Sequence, residues 1–274
     1  MKLSLCSEVI REMSFAEQCD FAAKLGYDAL EIAPFTLAED PRDLGASDVA
    51  ALRRSLSDAG IACSSLHWLM VSPEGLSVTS EDAEVHDRTV SVMRRLVELA
   101  SELGAEVLVH GSPKQRHLPE GREAEARAQA RDCFAAAAEA AETAGVVYCV
   151  EPLSSAETNF VNTVEDATAL IGEIGNPALR TMVDCSATRA MGLDPAEVLD
   201  RHLGSGLIAH VQVNDVNRRG PGEGSDPMGP VLSTLKRHDW RGWVAVEPFV
   251  YIPDGPACAA RSIGYLRGVL EGLT

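Results

Sequence analysis

Eight short, near-continuous apolar runs punctuate the chain, and a segment with helical signals follows each of them. The runs are Lys2–Ser7, Ala29–Ile32, Ile61–His67, Val107–His110, Val146–Glu151, Leu179–Asp184, Ile208–Val213 and Trp243–Glu247. Unbroken apolarity, rather than alternation, marks parallel strands covered on both faces. Parallel strands need long crossovers, and a helix between each pair supplies them. Eight such units in 274 residues fit a single (β/α)8 TIM barrel that spans 1–274 as one domain. A doubly wound sheet is the alternative. The glycines after the strands form no dinucleotide or phosphate-loop fingerprint, which opposes it.

The expected helices carry start and stop signals. Ser14 with Glu17 makes a capping box, and Asp194-Pro195-Ala196-Glu197 sets a cap, a Pro in the first turn and an acid after it. Thr163 before Glu165 and Asp166 does similar work. Gly26, Gly60, Gly104 and Gly145 stand where helices must stop before the next strand. The two longest helices are expected over Glu81–Leu103 and Gly121–Ala144.

Charge narrows the partners. A formal net charge of −17 repels nucleic-acid phosphates and argues against a peripheral membrane role. No apolar run is long enough to span a bilayer, and the opening "MKLSLCSEVIREMS" lacks a signal-peptide core. A cytoplasmic protein with a small-molecule substrate is the expectation. The seven cysteines are scattered, with no C-x-x-C, as suits buried reduced thiols.

Four of the runs end alike. "VVYCVEPL", "RTMVDCS", "LIAHVQVND" and "WVAVEPF" place Glu151, Asp184, Gln212 and Glu247 at the C-terminal ends of strands five to eight. In a TIM barrel that rim carries the active site. One acid at a strand end is commonly a capping group. Crowded carboxylates on consecutive strands repel one another unless a cation or protons join them. A shared divalent metal is the economical solution. An all-oxygen donor set favours Mn²⁺, with Mg²⁺, Co²⁺ or Zn²⁺ as the other candidates.

These segments together resemble the xylose isomerase-like TIM barrels, in the branch of ketose 3-epimerases, hydroxypyruvate isomerase-like enzymes and inosose dehydratases. The likeness runs through the order of all eight units and is sharpest at "EPLSSAETNF", "MVDCS", "HVQVNDVNRRGPGEG" and "VAVEPF". It implies that Glu151, Asp184, Gln212 and Glu247 are metal ligands. The epimerases carry H-x-H on strand seven, with the second His on the metal. That position is Gln212 here, as in hydroxypyruvate isomerase-like members, which leaves His210 as its neighbour by the substrate or as a core histidine. The resemblance also implies that Glu157 bonds a substrate hydroxyl and that Arg218 steadies developing negative charge. His67, Trp68 and His110, at the ends of strands three and four, are expected to line the substrate. One departure stands out: Ala187 occupies the position of a substrate-contacting His in the epimerases.

The activity implied is metal-assisted abstraction of the proton beside a carbonyl, through a cis-enediolate, with Glu151 and Glu247 as bases on opposite faces. Return of the proton gives epimerisation or isomerisation of a sugar or hydroxyketone. Loss of a β-substituent from a keto-sugar, inosose or 3-keto-glycoside would make the protein a lyase instead, and the ligand set alone does not choose. A sugar-binding barrel with a vestigial site is the non-enzymatic alternative. Such barrels commonly associate through exterior helices, so a homo-oligomer is expected by analogy.

Overall fold

A computed structural model describes residues 1–273. Eight strands, β1 (Lys2–Cys6), β2 (Ala29–Ile32), β3 (Ala62–Leu66), β4 (Val107–His110), β5 (Val147–Val150), β6 (Leu179–Asp184), β7 (Ile208–Val213) and β8 (Trp243–Val246), close a barrel in sequence order. All pairs are parallel, and β1 meets β8 to complete the ring. Around it run α1 (Phe15–Leu25), α2 (Ala46–Ala59), α3 (Ala83–Leu103), α4 (Glu123–Ala144), α5 (Val164–Ile174), α6 (Cys185–Ala190), α7 (Pro195–His202), α8 (Met228–Arg237) and α9 (Gly255–Gly272).

The expected barrel is the observed one, with differences at the rim. β1, β3, β5 and β8 stop one residue short of the expected ends. Ser7, His67, Glu151 and Glu247 therefore stand just beyond the ladder, where the chain turns into the loops. The connection from β6 to β7 holds two helices rather than one, because Asp184 caps a short extra helix through the backbone N–H of Ala187 at 2.6 Å. The Ser14–Glu17 capping box forms, and so does one at Thr163 and Asp166. Gly26, with φ 91°, takes the left-handed turn that ends α1 at little steric cost.

Two packed layers result. The main core lies between strands and helices. A smaller cluster of Val107, Val109, Cys149 and Met182 plugs the barrel interior. Side chains alternate along a strand, so Glu151, two beyond Cys149, and Asp184, two beyond Met182, point up from that plug into the mouth. The connections at the opposite end are short: residues 26–28, 60–61 and 104–106. Those at the mouth are long, such as 67–82, 111–122 and 214–227. Among the described residues no helix is long and apolar enough to cross a membrane.

Candidate active site

Glu151, Asp184 and Glu247 each bring a carboxylate oxygen within 4.8 Å of the others, all three residues being buried. Burial pushes the Glu151 carboxyl well above its ordinary value, and the charges of Glu247 and Asp184 push it further. Glu247 is raised to about 8, by burial first and against the pull of His67. Asp184 is raised by burial too, although Ala187, Asn214 and Ser186 all donate to it. Buried acids this close disfavour one another's ionised forms unless protons or a cation offset the charge.

Among the described residues, two buried oxygens on these neighbouring strand ends lack a partner. Gln212, paired in register with Asp184, donates Nε2 to Glu31 Oε1 at 2.7 Å, which leaves its Oε1 buried and without a partner. Glu247 Oε2 is likewise buried and unpartnered. The other oxygen of Glu247 accepts from His67 Nδ1 at 3.1 Å and from Trp68 Nε1 at 3.2 Å. In Glu247 nitrogen donors hold one oxygen and leave the other free, and in Gln212 the amide nitrogen is anchored on Glu31 and the oxygen is free. Hard oxygen donors of this kind fit Mn²⁺ or Mg²⁺.

Behind the cup lies a layer that the sequence reading did not single out. Glu31, on β2 and fully buried, accepts from Gln212, from Cys6 Sγ at 3.2 Å and from the Ser65 hydroxyl. His210 Nε2 lies 2.6 Å from Glu31 Oε2, an ion-pair distance, although the ring is turned out of hydrogen-bond alignment. Burial opposes ionisation of Glu31, but the His210 and His67 rings outweigh it and hold the carboxyl below the usual carboxylate range. His67 bridges Glu247 and Glu8, with Nε2 3.0 Å from Glu8 Oε2. Burial works against its charge, yet Glu8 and Glu31 raise it well above the ordinary histidine value. Cys6, Glu8, His67 and Glu247 also cluster within 4.8 Å. There the imidazolium already supplies the positive charge, so this second group needs no ion.

Of the residues expected around a substrate, Trp68, Glu157 and Arg218 line a cavity of 330 Å³ over Glu151 and Glu247. Trp68 sits between Phe35 and Phe249, ring centroids 6.2 and 6.0 Å away, and the Arg218 guanidinium stacks on Phe249 at 4.5 Å. Both Trp68 (φ 53°) and Arg218 (φ 67°) hold left-handed backbone, a strain that non-glycine residues adopt where surrounding structure enforces it. Ser154 donates its hydroxyl to Glu157 Oε2 at 2.7 Å.

The structure does not bring His67, His110 or His210 to that cavity: His67 is fully buried between Glu247 and Glu8. His210 points at Glu31, below the cup. His110 has the parity of Leu108 and faces the helix layer, where it packs on Phe134 at 4.9 Å and bonds Tyr148 Oη at 2.8 Å. Burial and nearby Arg116 push it down to about 3, so it is neutral. Gly111, the next residue, has the closer tie to the site: a Cβ there would fall 2.3 Å from Glu151 Oε2. Arg116, fully buried with Nε and Nη1 unpartnered, places positive charge near Glu151 and Glu157. A larger groove of 720 Å³ runs outside α3, but its Arg42 and Arg95 are paired with Asp40 and Glu98, and it lies away from the mouth.

The chain matches the model of the xylose isomerase-like TIM barrel family over residues 19–269. It is similar to the D-psicose 3-epimerase of Agrobacterium fabrum, 24% identical over 241 residues that cover 86% of this chain and 80% of that one. It is also similar to the putative hydroxypyruvate isomerase of Streptomyces coelicolor, 28% identical over 282 residues, covering 95% and 93%. Among solved structures, a D-psicose 3-epimerase crystallised in the presence of D-fructose shares the fold with a TM-score of 0.84, at 20% identity over 98% of this chain and 99% of that one.

Proposed function

The chain belongs to the xylose isomerase-like TIM barrel family, and from that premise we propose that it is a divalent-metal-dependent isomerase or epimerase of a small sugar or hydroxyketone. The observation that carries the reading is the convergence of Glu151, Asp184 and Glu247 beside two buried, unpartnered oxygens, Gln212 Oε1 and Glu247 Oε2. These four residues would hold the ion, with Mn²⁺ the best match to the donor set. When bound, it supplies Lewis-acid polarisation of the substrate carbonyl. The relatives' names, a ketose epimerase and a putative hydroxypyruvate isomerase, support the same class.

The chain's own residues do the rest. Among the described residues no side chain donates a hydrogen bond to Glu151, which acts as the base at the carbon beside the carbonyl. Glu247, across the cup and oriented by His67 and Trp68, returns the proton. Arg218 steadies the negative charge that develops on the substrate. Glu157 bonds a substrate hydroxyl, while Trp68 and Phe249 exclude water from one wall.

The test is proton exchange. Incubation with ketoses, inososes and keto-glycosides in D₂O with Mn²⁺ is expected to place deuterium on the carbon beside the carbonyl, followed by NMR. Chelation is expected to abolish it, and metal-independent or absent exchange across the panel defeats the proposal. Release of water or an aglycone would assign the chain to the lyases.

Metal binding should also show itself in stability. Glu151, Asp184 and Glu247 hold protons more tightly folded than unfolded. Their contribution to stability is therefore full below the ordinary values, 4.5 for the two Glu and 3.8 for Asp184, and is lost as pH rises, through about 8 for Glu247. A cation must displace those protons, so its effect grows along the same interval. One unit of pKa is about 1.4 kcal/mol, which corresponds to about 3–5 °C in a chain of this size. The Mn²⁺-induced rise in Tm is thus expected to be larger at pH 8 than at pH 5 by at least that much. Equal shifts would count against the cup as the binding site.

A further inference from the structure

The cleft over the strand ends has two lobes. Beside the 330 Å³ cavity, a second of 190 Å³ opens over α6. The two share Glu151, Leu153, Glu157, Arg218 and Phe249 as walls. The acid cup is divided between them: Glu247 faces the first lobe, Asp184 the second, and Glu151 both. A carbonyl held at the cup therefore stands at the junction, and the molecule that carries it has room to extend in two directions.

The first lobe alone reaches the lower end of the 300–1,000 Å³ usual for a small-molecule site. The second is additional space, and it exists because its side chains are small. Ala156, Ala187 and Ala190 line it, with Val216 opposite. Ser154 and Ser186 also face it, but their hydroxyls are committed to Glu157 and Asp184. Among the described residues Arg218 is the one cation on the lobe's walls, shared with the first lobe and stacked on Phe249, while Asp184, Glu151 and Glu157 on the same walls repel an anion. Its volume matches about six liquid waters, a quantity that a ring-sized neutral substituent would displace.

We propose that the substrate is a keto-sugar bearing a neutral glycosidic substituent, with the carbonyl-bearing unit in the first lobe and the substituent in the Ala187–Ala190 lobe. This rests on the reading of the cup as an isomerase or epimerase centre, and binding is measured apart from turnover so that each can fail separately. The Mn²⁺-loaded protein is titrated calorimetrically with sorbitol and with a series of glucosyl-sorbitols that differ in linkage, maltitol among them. These polyols have no carbonyl and cannot react. At least one glucosyl-sorbitol is expected to bind about tenfold more tightly than sorbitol. Ala187→Leu and Ala190→Phe fill the lobe and are each expected to cut that advantage to about threefold or less. Ala190 is exposed, so the Phe variant places no demand on the core. The proposal is overturned if no glucosyl-sorbitol binds measurably, if all bind like sorbitol, or if the advantage survives both variants. Absent proton exchange with every ketone, alongside a retained linkage preference, would instead strike the proposed reaction and spare the lobe.

Discussion

Glu151→Gln is expected to lower proton exchange at the substrate carbon by about a hundred- to ten-thousandfold while leaving the metal-free fold at least as stable as before. Both halves follow from the surroundings of that carboxyl. No side chain among the described residues donates to it, and burial with the charges of Glu247 and Asp184 disfavours its ionised form. A neutral amide of the same shape removes the repulsion and the base together. The Mn²⁺-induced rise in Tm should shrink, since one of three converging anions is gone. Glu247→Gln provides the contrast. It too should lose exchange, but Glu247 Oε1 is the acceptor for both His67 and Trp68. An amide offers them one acceptor oxygen in place of two and points a donor at other groups of the site, so this variant is expected to melt below Glu151→Gln. Exchange rates by NMR and melting curves decide the matter; a Glu151→Gln protein that exchanges within about tenfold of the parent would rule out the assigned base.

The largest loss of stability is expected from Glu31→Ala. Glu31 sits on β2 with no exposure and collects Gln212, Cys6, Ser65 and His210. Its carboxyl stays ionised in spite of burial because two histidine rings flank it. Removing one member of such a buried group strands the others and costs about 3–5 kcal/mol, about 10 °C in a chain of this size. Gln212 would also lose the anchor that turns its oxygen toward the cup, and supports of this kind are worth about a ten- to hundredfold change in metal affinity. Glu31→Gln keeps the shape and should fall between the two. A Glu31→Ala protein that melts within a couple of degrees of the parent, about 1 kcal/mol or less, would show the layer beneath the cup to be dispensable.

How far the sequence carried depends on which physical rule each residue obeys. Apolar runs and caps respond to local chemistry, and they located all eight strands and the helix ends closely. The rim acids stood out because a carboxylate closing an apolar run has few structural uses. Side-chain parity was the signal left unread: counting twos from the interior Val107 and Val109 sends His110 outward to Phe134. Glu31 was visible as a lone acid inside "ALEIAPF". Its meaning appears only once the barrel closes and brings Gln212, 181 positions away, into contact. Glu8 and Arg116 gave no local sign, since their roles come entirely from loops folding over the mouth. The extra helix α6 was hidden for a similar reason: Asp184 reads as a strand end, and the same side chain starts the helix.

That double duty of Asp184 limits how the protein can change. Its Oδ1 tethers the first turn of α6 through Ala187 and Ser186, and its Oδ2 accepts from Asn214. The walls that shape the smaller lobe therefore hang from a residue of the acid cup. Directed evolution aimed at new specificities around Ala187 would tug on that residue with every bulky replacement, so gains in selectivity there should arrive with weakened metal retention. Libraries that vary the opposite wall, at Val71 or Lys114, touch no such tether and offer the freer route.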